Sequence, residues 1–333
     1  MAQIVSGFAS SHSPQLSMPV EAWRVRGEND KRIRDLIGTD GAVSGYEELL
    51  NRREDIAEIA KQITTDKFEK RHEENQRNIA SISDALYRVD PDILIIVGDD
   101  QQEYLRDDNM PAICVYYGDE VTVKGRNSGI ELGAGTGTMI GYAAEDRKVP
   151  VASGLGKHII EFLVESEFDV GRSSFLDDTR GRMQGGIGHA FGYVYHRLMT
   201  GKVIPTVPIM LNTYYPPNQP TPKRCYDLGR AIRNAVEAWP EKKRVAILAS
   251  GGLSHFVVDE DLDYQAMNAL KNKDVVALSS LPRHKLNSGN SEVRNWIVTG
   301  GATEHLDVQY MNYVPCYRSE AGTGCAMAFA EWG

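Results

Sequence analysis

At 333 residues, 41% hydrophobic and 25% charged, the chain is long enough to bury a sizeable core and has the balance of an ordinary soluble globular protein. A formal net charge of -9 argues against the basic field that nucleic acid or an anionic membrane surface would require, so small molecules are the expected partners. Cys114, Cys225, Cys316 and Cys325 are scattered with no Cys-x-x-Cys spacing, which predicts buried free thiols. With no basic start leading into an apolar stretch, and no run near the ~18 apolar residues of a membrane span, the expected location is cytoplasmic, with no membrane contact.

Ala2 to Ala9 reads as a short buried strand running into the polar turn Ser10-Ser11-His12-Ser13-Pro14, which leaves a histidine at a strand's carboxyl end. From Tyr46 to about Tyr87 apolar residues recur at helical spacing (Leu49, Ile56, Ile59, Ile63, then Ile79, Ile82, Leu86), predicting two or three exposed helices that pack over the body or cover a site. Asp92 to Gly98 is a continuous apolar run between Pro91 and Asp99-Asp100, as a strand buried on both faces requires. Further strands are predicted over Ala112–Tyr116, Val203–Leu211 and Val245–Ala249, and helices near Lys157–Glu165, Ile187–Met199, Lys223–Ala238 and Ser291–Thr299. This alternation predicts an α/β protein, a single domain over 1–333 with a mostly parallel central sheet flanked by helices and a helical insertion at about 46–89.

In an open α/β sheet, ligands bind beyond the carboxyl ends of the strands. Four polar segments occupy such places: His12; Asp99-Asp100-Gln101-Gln102-Glu103; Asn212-Thr213-Tyr214-Tyr215; and Ser250-Gly251-Gly252-Leu253-Ser254-His255. A lone histidine after a strand is usually a hydrogen-bonded turn residue, whereas two of them beside an acidic cluster suit a metal or an acid–base site; spacing alone leaves the choice open. Glu292 at a helix start has capping as its ordinary role. Gly133 to Thr138 resembles a phosphate-cradling loop, but no lysine follows and it reads as a flexible loop. His189 sits at a predicted helix start near the crevice, His196 reads as packing, and His72, His158, His284 and His305 as surface or structural residues. Arg224 follows an aromatic loop and has the bidentate fork for a substrate carboxylate, a surface salt bridge being its commoner fate.

Taken as an ordered set, Ser11-His12-Ser13-Pro14, Gly98-Asp99-Asp100, the Asn212 to Leu228 segment with Tyr215-Pro216-Pro217 and Lys223-Arg224-Cys225, Gly251 to His255, and Ser291-Glu292-Val293 resemble the type III (LigB-like) extradiol dioxygenases. The Asn212 to Cys225 loop and the tail Tyr317 to Gly324 are most similar to the 3-O-methylgallate dioxygenase branch. The resemblance implies Fe(II) held by His12, Glu292 and a second histidine, with His255 as the acid–base residue and His189 as a substrate contact. Ser13, Tyr215 and Arg224 are the expected substrate-binding residues. At the second ligand position the family's histidine is replaced by Gln101; either its amide oxygen coordinates, or Asp100 or Glu103 substitutes, or the site binds metal poorly, and Gln101 is the residue expected there. The implied reaction is ring cleavage, by dioxygen, of a small catecholic or hydroxylated aromatic acid such as methylgallate, gallate or protocatechuate, or of a dihydroxypyridine, in a homodimer. Non-oxidative hydrolase or lyase chemistry at an altered metal site, and metal-free aromatic binding, stand as alternatives.

Overall fold

Short apolar runs bounded by turn residues become the central strands, because burial on both faces leaves no need for an alternating pattern. A computed structural model gives the fold and describes residues 1–127, 143–179 and 181–333. The chain opens with β1 (Gln3–Ser10) and α1 (Val20–Asp30), then a small hairpin of β2 (Leu36–Ile37) and β3 (Val43–Ser44). The span read as helical holds α2 (Tyr46–Arg52), α3 (Ile56–Ala60) and the long α4 (Thr65–Val89), whose first turn is capped by the Thr64 side chain. Next come β4 (Ile93–Asp99), β5 (Ile113–Tyr116), the hairpin strands β6 (Glu120–Val123) and β7 (Arg147–Pro150), α5 (Ser153–Glu165) and β8 (Gly171–Ser173). The Gly133 to Thr138 loop lies outside the described residues. Then follow α6 (His189–Tyr193), continued by a π-helical turn Val194–Leu198, β9 (Thr206–Leu211), α7 (Pro222–Ala238), β10 (Arg244–Ser250), β11 (His255–Val257), α8 (Glu260–Lys271) and α9 (Val275–Ser279). The 3-10 turn Ser288–Glu292 leads into α10 (Val293–Ala302), and β12 (Val308–Tyr317) and β13 (Thr323–Trp332) close the chain.

Among the described residues one nine-stranded sheet runs in the order β11-β13-β1-β10-β4-β9-β5-β8, with β12 paired to β13. Its centre, β1-β10-β4-β9, is parallel. The whole is mixed, because β13 lies antiparallel to β1, β11 and β12, and β5 antiparallel to β9. In the parallel centre Ser10 pairs with Ser250, Ala249 with Val97 and Asp99 with Leu211, so the carboxyl ends of four strands finish along one edge. Successive residues of a strand point to opposite faces. Ile95, Val97, Ile247 and Ala249 therefore pack with Leu228, Ile232, Trp296 and Ile297 from α7 and α10, while Leu94, Ile96, Ala246 and Leu248 pack with Ile79, Ile82 and Leu86 of α4 on the other side. A Cβ at Gly229 would overlap the Val298 carbonyl oxygen, so glycine is what lets α7 and α10 approach. No described helix is long and apolar enough to cross a membrane.

Candidate active site at the carboxyl edge of the sheet

His12 follows β1 and is 5% exposed. Its Nδ1 lies 3.0 Å from Ser250 Oγ at the end of β10, and that hydroxyl donates to the Ala190 carbonyl at 2.5 Å. With its proton engaged, the Ser250 oxygen accepts from Nδ1–H, which assigns the lone pair of His12 to Nε2. Nε2 is 3.3 Å from Glu292 Oε2 and 4.0 Å from Asp99 Oδ1.

Glu292 ends the 3-10 turn before α10, yet its side chain makes no capping hydrogen bond. Instead Oε2 accepts from the Gly252 backbone N–H at 2.6 Å, and Oε1 is faced by His255 Nε2 and Gln101 Nε2, each at 3.2 Å. Burial opposes ionisation, but His255 and His12 outweigh it and hold the carboxyl well below its usual range. A Cβ at Gly289 would overlap the His255 carbonyl oxygen, so a glycine there is needed for the 3-10 turn to close on β11.

His255 starts β11, its backbone N–H held by Asn290 Oδ1 at 2.8 Å. Its Nδ1 faces the Leu253 carbonyl at 2.8 Å and must be the N–H, so Nε2 is the nitrogen presented to the cluster. Although burial disfavours the charged ring, Glu292 raises His255 to about 10. His189, at the start of α6, stands edge-on to His12 with ring centroids 4.7 Å apart. Glu103 accepts its backbone N–H and, at 2.7 Å, its Nδ1–H, again turning Nε2 inward. Burial lowers the affinity of this ring for its proton, but Glu103 reverses the balance and lifts it to about 9.

Asp99, the last residue of β4, is fully buried and completes the group. Burial and then the Glu292 charge raise its carboxyl. Gln101 Nε2 donates to Asp99 Oδ2 at 3.2 Å as well as to Glu292, tying the two carboxylates together. Asp100 turns away, accepting the backbone N–H groups of Glu103 and Tyr104. Glu103 stands behind His189. In the sequence Asp99 stands within the polar segment Asp99 to Glu103 but receives no role of its own, because a carboxylate closing an apolar run reads as the start of a turn.

Donor atoms of His12, Asp99 and His189 lie within 4.8 Å of one another. Two ligands ~2.1 Å from one ion sit about 3 Å apart side by side and about 4.2 Å apart when opposite, so the separations of His12 from Glu292 and Asp99 suit a shared cation. Buried carboxylates and imidazoles this close are satisfied by shared protons or by a bound cation, and their donor atoms fit a divalent metal.

His12, Gln101, Glu103, His189, His255 and Glu292 form one wall of a cavity of about 230 Å³, lined also by Ser13, Arg26, Arg182, Phe256 and Met327; Asp99 is not among its lining residues. Thus His12, Gln101, Glu292, His255, His189 and Ser13 all line one cavity. Tyr215 is not among the lining residues; its backbone N–H is tied to Asn212 Oδ1 and its ring packs on Tyr214, although carboxylates of the site are near enough to raise its phenol after burial has done so. Arg224 stands outside the cavity. Its guanidinium stacks over Phe168 at 3.9 Å and donates to the Glu167 carbonyl, so its fork is engaged there, and Arg26 and Arg182 are the cavity's guanidinium groups.

A family profile described as "Catalytic LigB subunit of aromatic ring-opening dioxygenase" matches residues 60–318, which takes in Gln101, His189, His255 and Glu292. The chain is also similar to gallate dioxygenase of Pseudomonas putida, 35% identical over 128 residues, which make up 37% of this chain. That match spans only 35% of the length of the Pseudomonas protein. The profile covers well over half of the chain, and the protein belongs to the family of LigB catalytic subunits of aromatic ring-opening dioxygenases.

Proposed function

We propose that this protein is an Fe(II)-dependent extradiol dioxygenase that opens the ring of a small catecholic or hydroxylated aromatic acid, working in the cytoplasm as a homodimer. The observation that carries the reading is the convergence of His12 Nε2 and Glu292 Oε2, 3.3 Å apart, at the wall of a ligand-sized cavity in a chain of this family. His12, Glu292 and the Asp99 to Gln101 segment would hold the metal, with Ser250 fixing the His12 tautomer. When bound, Fe(II) supplies Lewis acidity and a one-electron path between substrate and dioxygen.

The remaining steps belong to the protein. His255 Nε2, with Nδ1–H anchored on Leu253, faces the cavity; its ring is held protonated by Glu292 and would take a catechol hydroxyl proton once a cation on Glu292 has removed that hold. His189 Nε2, backed by Glu103, holds a second polar atom of the substrate. Arg26 and Arg182 provide positive charge for an acidic substituent, and Phe256 and Met327 offer apolar surface to the ring. Bringing ring and dioxygen together in so small a space makes their encounter intramolecular.

The test is oxygen uptake by protein reconstituted anaerobically with Fe(II), using gallate, 3-O-methylgallate, protocatechuate and a dihydroxypyridine, with product mass and NMR locating the broken bond. A His255→Ala variant that turns over at the wild-type rate would remove His255 from the mechanism, and products opened between the two hydroxyl carbons would exclude the extradiol course. Sedimentation tests the dimer. The glutamine at position 101 supports a second reading, a site whose altered ligand set performs hydrolytic or lyase chemistry; ring transformation without oxygen consumption is its signature.

A further inference from the structure

We infer that Asp99 supplies the metal ligand lost with the histidine replaced by Gln101, and that Gln101 acts as the hydrogen-bond donor that holds Asp99 and Glu292 side by side. The inference rests on the metal-dependent reading above.

An amide coordinates a metal through its oxygen, because the nitrogen has no available lone pair. At Gln101 the nitrogen is the atom directed into the cluster, 3.2 Å from Asp99 Oδ2 and 3.2 Å from Glu292 Oε1. Exchanging the two amide atoms would set a carbonyl oxygen against two carboxylates, so the neighbours themselves fix this orientation. Gln101 is thereby committed as a donor. Asp99 has the opposite character: it ends a central strand, has no solvent exposure, and presents Oδ1 4.0 Å from the lone-pair nitrogen of His12. Its other neighbour is Asn295, whose Nδ2 reaches Oδ1 at 3.4 Å and leaves capacity for a stronger partner. Two carboxylates buried in one cluster repel each other and are costly in a low-dielectric interior, and a divalent cation relieves both penalties.

Donor atoms of His12, Asp99 and His189 lie within 4.8 Å of one another, and Glu292 Oε2 is 3.3 Å from His12 Nε2, so the set inferred is the His12 imidazole with the Asp99 and Glu292 carboxylates, His189 standing beside them. It is harder and more anionic than a set with two imidazoles and one carboxylate, so it favours Fe(II) or Mn(II) over softer ions. Gln101 is then a positioning residue.

The experiment is anaerobic calorimetric titration of the metal-free full chain with Fe(II), for wild type, Asp99→Asn and Gln101→Ala, with circular dichroism of each. Gln101→Ala, as the loss of a positioning partner, should weaken Fe(II) binding by about 10- to 100-fold and leave it measurable, whereas Asp99→Asn should weaken it further than that. Binding by Asp99→Asn as tight as wild type overturns the assignment, as does loss of binding in Gln101→Ala. Should Asp99→Asn fail to fold, the Gln101→Ala arm decides alone, since a coordinating Gln101 requires that variant to lose the metal. Wild-type protein that takes up no Fe(II) would sink the metal-dependent reading itself, an outcome distinct from a wild type that binds beside an unaffected Asp99→Asn.

Discussion

His12 Nε2 faces Glu292 Oε2 across 3.3 Å with both side chains almost wholly shielded from water, although one follows the first strand and the other precedes the last helix. Under the proposed function both groups would hold one cation, and the two residues would then act as one unit. His12→Ala and Glu292→Gln should each lower oxygen-dependent turnover by at least about three orders of magnitude, and the double variant should fall no further than the worse single. Oxygen-electrode rates on Fe(II)-treated protein check this. Multiplying losses would show that the residues work independently.

Glu103 gives both carboxylate oxygens to His189, one of them to Nδ1–H at 2.7 Å, and it is 2% exposed. Such a partner fixes the ring's rotation and which nitrogen faces the cavity. Glu103→Ala should reduce kcat/KM by about 10- to 100-fold, with Glu103→Asp recovering part of the loss. Steady-state kinetics of both variants, alongside unchanged Fe(II) affinity, would separate this role from metal binding.

The strand-end logic exposed most of the site because parallel register turns four distant segments into neighbours. His12, Gln101 and His255 each follow an apolar run, and runs paired in parallel must finish together. Glu292 needed the family resemblance, since a carboxylate before a helix reads as a cap. Periodicity was silent on α1, which buries only Trp23, Gly27 and Asp30, too few positions to show a stripe. It was equally silent on β13, whose small residues are buried on both faces and lack alternation; the sheet is consequently mixed where a mostly parallel one was expected. Side-chain direction was the other blind spot. Nothing in local sequence distinguishes Arg224, stacked on Phe168, from Arg26 and Arg182, which reach the cavity.

Arg318, between β12 and β13, is buried against Asp30 at the end of α1, with Nε to Oδ2 at 2.6 Å and Nη2 to Oδ1 at 3.1 Å. Thr323 Oγ1 donates to the same carboxylate at 2.6 Å. Removing one member of a buried pair leaves an uncompensated charge, so Asp30→Ala should cost about 3–5 kcal/mol in urea unfolding. Replacing both residues by leucine should recover much of that loss, because the desolvation cost of both charges disappears. A double variant as unstable as Asp30→Ala would show that the network contributes more than charge balance.

Asp263 on α8 supports the loop that carries His255, accepting from Ser254 N at 2.8 Å, Ser254 Oγ at 2.6 Å and the Tyr313 hydroxyl at 2.7 Å. Burial nevertheless dominates and pushes its carboxyl from an ordinary 3.8 to about 7. Between those two values the folded state binds the proton that the unfolded chain has released, so stability falls as pH rises through this window and levels off above it. The full effect is on the order of 4 kcal/mol, at 1.36 kcal/mol per pH unit. Asp263→Asn cannot titrate and should lose this dependence. Its fixed cost from a changed hydrogen-bond pattern is the same at every pH, so the difference in unfolding free energy between wild type and variant, measured at pH 5 and again at pH 8, isolates the titration. Wild type should lose ground to the variant at pH 8; an equal difference at both values would mean that the three donors keep Asp263 ionised throughout.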